Sequence, residues 1–155
     1  MIRHTRKIVR ASQFLNNGYI NCCMSGSTGE VLIKSLLTDM KLDYKAEAKF
    51  DDLRSPYTGA CLRYDFMVQN NGETLFVEYD GEQHRSFEAF KALVISRSNI
   101  EIDDRTVEEM FNRLLEYDKI KDEYARKNNI RLIRLSGTTV SAYNKLKGIL
   151  TKSID

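Results

Sequence analysis

Asp65, Glu78, Asp80 and His84 are candidate functional residues within a single stretch of 20 residues. Carboxylate oxygens are the ligands that hard divalent cations prefer. An imidazole is the side chain best suited to moving protons near neutral pH. A metal ion beside a proton-transfer group is a common arrangement for hydrolysis. The residue types therefore indicate metal-assisted hydrolytic chemistry.

The spacing of these acids places them on a predicted β-hairpin. Two segments rich in β-forming residues flank Asn71-Gly72, and an Asn-Gly pair in that setting is the strongest short-range hairpin signal. With this pair at the centre of the turn, the numbers of paired residues add to 143, as those of Asp65 and Glu78 do. We expect their Cβ atoms to lie about 5 Å apart. Asp80 shares the face of Glu78, because side chains alternate along a strand.

Three carboxylates on one face of a hairpin repel one another unless something neutralises them. They also end an apolar strand, where a carboxylate is costly without a partner. A divalent cation bound by Asp65, Glu78 and Asp80 meets both requirements. Gly81 allows a sharp turn that brings His84 toward the same acids. The alternatives are a slipped register that leaves one acid in water and a histidine in a surface loop.

Two further acids stand out on predicted helices. Asp118 interrupts the apolar stripe of a long helix over 106–128, and a carboxylate on the core side needs a partner. Lys121, at i+3, is one candidate partner. Alternatively, Asp118 points toward the cluster of hairpin acids. Glu30 lies in the first turn of a helix over 27–41, where ordinary helix-dipole electrostatics also accounts for an acid.

The elements that must position these residues follow from hydrophobic periodicity and turn signals. The pattern predicts helices over 27–41, 86–93, 106–128 and 139–151, strands over 44–50, 62–69, 74–80 and 130–135, and loops over 51–60 and 94–104. The order α-β-β-β-α-α-β-α predicts an α/β or α+β domain, with helices packed on a small central mixed sheet. We expect a basic lead over 1–25 and a single domain over 26–155.

Composition excludes several classes of protein. The chain has 155 residues, of which 42% are hydrophobic and 30% charged, as in ordinary globular domains rather than disordered or fibrous ones. No apolar run is long enough to cross a membrane, and the N-terminus lacks the apolar core of a secretory signal. Three cysteines, an odd number, argue against a disulfide framework. We therefore expect a cytoplasmic protein in a reducing setting.

Charge is segregated along the chain although the formal net charge is only +2. Residues 101–118 hold seven acids and two bases, whereas 119–134 hold six bases and two acids. Solvated helix faces and a nucleic-acid-binding face both produce such segregation. The candidates for phosphate contacts are Arg3, Arg6, Lys7, Arg10, Lys121, Arg126, Lys127, Arg131 and Arg134.

Side-chain alternation along the last strand limits the phosphate contacts, and three tyrosines are separate candidates for contacts with bases. Arg131 and Arg134 fall on opposite sides of a straight strand, so we expect only one of them to touch nucleic acid. Tyr19, Tyr57 and Tyr79 are able to stack on bases, although an isolated tyrosine more often packs half-buried.

These residues together resemble one nuclease pattern. The pattern comprises Glu30, Asp65 within 62–66, the block Val77 to His84, and Asp118-Lys119 ahead of 130–134. It is similar to the very-short-patch-repair-like branch of the PD-(D/E)XK nucleases. Within that branch it resembles a small phage-type group with a Glu, Asp, His, Asp signature, linked to homing endonucleases. The resemblance covers roughly residues 27 to 136. It implies a restriction-endonuclease-like core, Mg²⁺ or Mn²⁺, and phosphodiester hydrolysis in DNA, in the host-cell cytoplasm if the protein is phage-encoded.

The resemblance also implies roles for the hairpin residues. Asp65 would be the principal metal ligand and Glu78 a second one. Asp80 stands where the motif lysine would be, so it would bind the same ion, a second ion, or a water on the metal. The motif lysine would orient the attacking water and offset charge, and its absence moves that role to His84 or to a lysine on the late helix.

The remaining motif positions lie on helices. Asp118 matches the late helix acid and would orient His84 or a water on the metal through hydrogen bonding. Glu30 matches the first-helix acid and would add a water-mediated contact at the rim. Lys119 and Lys121 are the lysines able to replace the missing one.

Three classes of function remain open. The leading interpretation is an endonuclease of the nicking, homing or repair type, with a dimeric Holliday-junction-resolving nuclease as its variant. The second is a catalytically inactive nucleic-acid-binding module of the same fold, and the third is a metal-stabilised protein of another function. DNA is the expected partner, and no membrane is expected. The further alternatives are a homodimer, which the junction-resolving variant requires, and a protein partner that provides specificity.

Overall fold

A computed structural model describes residues 28–81, 86–98 and 101–152. These residues form four helices and four strands in the predicted order, which confirms an α+β protein with a small mixed sheet. The elements are α1 (Thr28–Asp39), β1 (Asp43–Arg54), β2 (Cys61–Asn70), β3 (Glu73–Asp80), α2 (Phe87–Arg97), α3 (Asp104–Lys127), β4 (Arg131–Ser136) and α4 (Thr139–Lys152).

The described residues divide into two compact units. One contains residues 28–81 and 117–152, and the other contains residues 86–98 and 101–116. The first unit holds the sheet, α1, α4 and the end of α3. No helix within the described ranges is both long and apolar enough to span a bilayer.

The sheet has the strand order β1-β2-β3-β4, with β3 and β4 parallel and the other neighbours antiparallel. The β2–β3 hairpin turns at Asn71 and Gly72, whose φ angles of 51° and 82° are those of a type I′ turn. Phe66 pairs with Val77 and Asn70 with Glu73. This confirms the predicted register.

The two faces of this sheet carry separate hydrophobic clusters. The first core cluster joins α1 and α4 to one face through Ile33, Leu36, Leu37, Phe66, Val68, Leu75, Val77, Ile133, Leu135, Ala142, Leu146 and Leu150. The second core cluster joins the end of α3 to the other face through Leu53, Tyr64, Phe76 and Ala125. The Tyr64 and Phe76 rings stack with centroids 4.0 Å apart. The sheet is therefore covered by helices on both faces.

Side-chain alternation is interrupted near Asp65 of β2, and the β1–β2 register shifts separately between Lys49 and Arg54. Phe66 belongs to the first core cluster, whereas Tyr64, two residues earlier, belongs to the second. In a regular strand these two side chains would share a face. Asp65 lies between them, and the residue opposite it in β1 is Glu47, with a φ of 51°. An irregularity of this kind re-aims side chains and is frequent beside active sites.

Two of the predicted loops are shorter than expected. β1 continues to Arg54 through residues 51–54, which were expected to be loop. It is an edge strand with mostly exposed positions, and such a strand accommodates charged side chains that would not suit a central strand. α2 continues to Arg97 instead of ending at 93, so residues 94–97 are helical rather than loop.

The second unit has its own small core. Ser86 caps α2, and its hydroxyl accepts a hydrogen bond from the Ala89 amide at 3.1 Å. Lys91 and Asp104 form an ion pair at 2.7 Å between the starts of α2 and α3. The buried residues shared by these helices are Phe90, Val107, Met110 and Leu114.

The start of α1 packs closely against Tyr79 of β3, and this contact tests the fold. A Cβ atom at Gly29 would overlap the Tyr79 ring, whose hydroxyl is anchored on the Gly137 carbonyl at 3.2 Å. Gly29→Ala should therefore lower the free energy of unfolding by about 1–3 kcal/mol. Gly148→Ala, in α4 with open space around its Cβ, should raise it by about 0.5–1 kcal/mol. Urea denaturation measures both, and equal effects would contradict the packing described.

Candidate active site

A buried ion pair between a helix and the sheet forms the centre of the site. The Nζ atom of Lys121 in α3 lies 2.6 Å from Oε2 of Glu78 in β3, and the two side chains are only 4% and 5% exposed. The same Nζ donates to the Arg63 carbonyl at 3.2 Å and lies 5.7 Å from the centre of the Tyr64 ring. The Tyr64 hydroxyl in turn donates to the Lys121 carbonyl at 2.6 Å. These contacts hold the lysine in one position.

The other oxygen of Glu78 is buried without a hydrogen-bond partner among the residues that the structure describes. An unsatisfied buried carboxylate oxygen is unfavourable unless something binds it. Burial raises the pKa of Glu78 to about 7, with a further contribution from the nearby Asp65 carboxylate, although Lys121 acts in the opposite direction. The Oε1 atom of Glu78 is therefore able to bind a cation or a proton.

Asp65 is brought to the same place by the interruption in β2. Its Oδ2 atom accepts a hydrogen bond from the Tyr79 amide at 2.7 Å, so its carboxylate inserts between β2 and β3. The ladder pairs of this hairpin end at Phe66 and Val77. The expected direct facing of Asp65 and Glu78 across a regular ladder is therefore replaced by this insertion, although the two acids still interact electrostatically.

Asp80 and Asp118 both bind Arg134 rather than joining Asp65 and Glu78. The Nη1 atom of Arg134 lies 2.9 Å from Oδ1 of Asp80 and 3.4 Å from Oδ1 of Asp118. Lys121, the predicted partner of Asp118, forms its ion pair with Glu78 instead. Arg134 reaches these acids because β4 runs parallel to β3 with Arg134 beside Glu78.

Arg134 is a functional candidate in a role that the sequence did not reveal. A third acid, Asp122, lies 2.8 Å from its Nη2 atom, and the Asp118 carbonyl accepts from the same nitrogen at 3.2 Å. Burial lowers the pKa of Arg134, but Asp80, Asp118 and Asp122 together raise it above its usual range. The guanidinium therefore stays charged and fixes two of the predicted site acids.

Several predicted site residues lie elsewhere. Glu30 is half-buried in the first turn of α1, next to the glycine that packs on Tyr79. His84, Arg3, Arg6, Lys7 and Arg10 lie outside the described residues. Lys121 and Arg134 are engaged in the internal ion pairs above rather than displayed to a ligand. The predicted phosphate contacts with exposed side chains are Arg126, Lys127 and Arg131.

The arrangement fits a divalent cation at Asp65 and Glu78 better than one at all three predicted ligands. Within the described ranges, no three His, Cys, Asp or Glu side chains converge as a metal-binding group, because Asp80 is turned toward Arg134. The buried, unpartnered oxygen of Glu78 beside Asp65 nonetheless offers the oxygen ligands that Mg²⁺ accepts, and Mg²⁺ usually keeps several waters rather than an all-protein cage. Comparisons with protein-family models, curated proteins and solved structures found no match.

The raised pKa of Glu78 predicts a pH-dependent stability in metal-free buffer. The folded state binds a proton at Glu78 up to about pH 7, whereas the ordinary value is 4.5. The free energy of unfolding should therefore fall as the pH rises through this window, by on the order of 1–3 kcal/mol. Glu78→Gln should flatten the dependence, and Glu73→Gln, at an exposed position of the same strand, should not. A Glu78→Gln protein with the original slope would contradict the assignment.

The buried pair itself is tested by removing the lysine. At pH 8, Lys121→Met should lower the free energy of unfolding by about 3–5 kcal/mol, because it leaves a buried carboxylate without its cation. The loss should be smaller at pH 5, where Glu78 is protonated, and smaller in the Lys121→Met/Glu78→Gln double variant.

The matched control for this pair is Lys119→Met, which changes an exposed lysine of the same helix. It should alter the stability by less than about 0.5 kcal/mol. If the effects of Lys121→Met and Glu78→Gln on the free energy of unfolding add up in the double variant, Lys121 and Glu78 do not interact.

Proposed function

We propose that this protein is a metal-dependent DNA endonuclease with a restriction-endonuclease-like core of the PD-(D/E)XK type. One observation carries the proposal: a buried Glu78 oxygen without a partner among the described residues, beside the Asp65 carboxylate. The ion pair with Lys121 supports it, since a buried pair contributes little stability of its own. A binding or catalytic role accounts better for the presence of two buried charges at this position.

In this proposal, Asp65 and Glu78 hold Mg²⁺ or Mn²⁺. When bound, such an ion stabilises the negative charge that develops on phosphate oxygens during hydrolysis. Glu78 provides its Oε1 atom, since its Oε2 atom is bound by Lys121. Asp65 is held for this role by the hydrogen bond that its Oδ2 atom accepts from the Tyr79 amide.

Lys121 is the residue best placed to take over the role of the missing motif lysine. Its ammonium group contacts Glu78 from α3, whereas Asp80 occupies the lysine position of the motif and pairs with Arg134. The positive charge orients the Glu78 carboxylate and favours its ionised form, because it acts against the effect of burial on the pKa of Glu78. Lys119, which is exposed, is the less suitable replacement.

His84 is proposed to move the proton between water and the leaving oxygen. It follows Asp80 by four residues, and Asp80 marks the end of β3 at the site. Asp118, which is fixed by Arg134, is proposed to orient it. Glu30 is proposed to contact the site through water from the start of α1.

DNA is the proposed substrate because exposed cations lie along the same unit as the site acids. Arg131 pairs with Leu75, and Ser136 with Asp80, so Arg131 lies about 16 Å along the sheet from Asp80. Arg126 and Lys127 end the helix just before it. A duplex spans that distance in about five base pairs, so phosphate contacts at these cations are compatible with a scissile bond at the site.

Cleavage of supercoiled plasmid in Mg²⁺ or Mn²⁺ tests the proposal. The protein should convert plasmid to nicked or linear product, and EDTA should stop the reaction. Asp65→Asn and Glu78→Gln should each reduce the rate at least about 100-fold, since each removes a charged ligand. Glu73→Gln is the matched control, because it changes an exposed acid of the same strand.

Two results would count against the nuclease. A folded protein that binds DNA and leaves plasmid and branched DNA intact in both metals would be a binding module of the same fold. Cleavage that persists in Asp65→Asn would place the reaction elsewhere or in a contaminant.

A further inference from the structure

The loop between β1 and β2 carries an aromatic residue at a surface position. Tyr57 is 45% exposed, and its ring meets the Tyr117 ring edge-on with centroids 6.1 Å apart. Tyr117 itself is buried at the start of the α3 segment that belongs to this unit. The Tyr57 ring is thus supported from one side while much of its surface stays accessible.

The loop is held in one conformation by a dense set of hydrogen bonds. The Ser55 hydroxyl accepts from the Tyr57 and Thr58 amides at 3.2 Å each and is hydrogen-bonded to the Tyr117 hydroxyl at 2.8 Å. The Ser55 and Gly59 amides donate to the Ala60 and Ser55 carbonyls at 2.8 and 2.9 Å. A loop ordered in advance loses little entropy on binding, and rigidly supported loops often carry function.

A positive charge is fixed at the base of the same loop. The guanidinium of Arg54 donates to the Asp51 carbonyl at 2.7 Å and to the Gly59 carbonyl at 2.8 Å. In the part of the chain that the structure describes, no ion pair is found between Arg54 and a carboxylate. Arg54 therefore closes the loop and places a cation at its base, three residues before Tyr57.

The loop connects directly to the candidate active site through α3. Tyr117, which contacts both Ser55 and Tyr57, precedes Asp118. Lys121, whose ammonium group binds Glu78, follows Tyr117 by four residues, or about 6 Å along the helix. DNA at the site would therefore pass within a few nucleotides of Tyr57.

We infer that the loop from Arg54 to Ala60 binds unpaired DNA, with Tyr57 stacked on a nucleobase and Arg54 near a backbone phosphate. An aromatic ring combined with a cation is how proteins bind single strands. Stacking needs a base whose face is open, whereas bases inside a duplex are covered by their neighbours. The inference rests on the proposed function, and it adds that the substrate is single-stranded or unpaired near the cut.

Binding of a single-stranded oligonucleotide containing 2-aminopurine, measured by fluorescence in EDTA, tests this inference. The protein should bind this oligonucleotide more tightly than a blunt duplex of the same sequence, and binding should quench the fluorescence of 2-aminopurine. Tyr57→Ala should weaken binding about 5- to 100-fold and relieve the quenching. Tyr57→Phe, which keeps the ring, should stay within about two-fold of the original protein. Arg54→Ala should reduce the salt dependence of binding by about one phosphate contact.

Val140→Ala, which removes another exposed apolar side chain, is the matched control, and thermal unfolding checks that each variant folds. If Tyr57→Ala unfolds, Tyr57→Leu takes its place. Unchanged affinity of the ring-free variant, or an equal loss in Tyr57→Phe, would overturn the inference. Since EDTA prevents turnover, binding through Tyr57 without plasmid cleavage would support the loop and contradict the nuclease, whereas cleavage without Tyr57-dependent binding would do the reverse.

Discussion

The ion pair between Glu78 and Lys121 is the constraint around which the site is organised. Both side chains are almost completely buried at 2.6 Å from each other, and taking two charges out of water is rarely repaid by their attraction alone. The pair connects the end of β3 to α3, and it leaves one Glu78 oxygen without a partner among the described residues. A cation bound to that oxygen would compensate for the loss of solvent around the buried Glu78 carboxylate.

The interruption of β2 determines how the second carboxylate, that of Asp65, is oriented near the pair. In a regular ladder, the Asp65 side chain would lie on one face of the sheet. Only backbone groups would form the hydrogen bonds between β2 and β3. The left-handed conformation of Glu47 and the change of face between Phe66 and Tyr64 instead let the Asp65 carboxylate accept from the Tyr79 amide. Local irregularity in the strands thus changes the orientation of the Asp65 carboxylate, which accepts from the Tyr79 amide instead of facing Glu78 across a regular ladder.

Local signals predicted the order and type of the elements but missed the ends of β1 and α2, and they did not reveal long-range contacts. The Asn71-Gly72 turn determined the hairpin register correctly, because its geometry allows only one pairing. The pairing of β3 with β4 involves residues far apart in sequence, so the position of Arg134 between Asp80 and Asp118 could not be anticipated. The rotation of α3 decided that Lys121, rather than Asp118, faces Glu78, and a helical pattern with an acid and a base three residues apart leaves that choice open.

The proposed cation site at Asp65 and Glu78 is tested most directly, and without reference to catalysis, by a calorimetric titration of Mn²⁺ into the metal-free protein. We expect saturable Mn²⁺ binding that disappears in Asp65→Asn and in Glu78→Gln and persists in Glu73→Gln. Absence of binding in the original protein, or equal binding in all three variants, would contradict it.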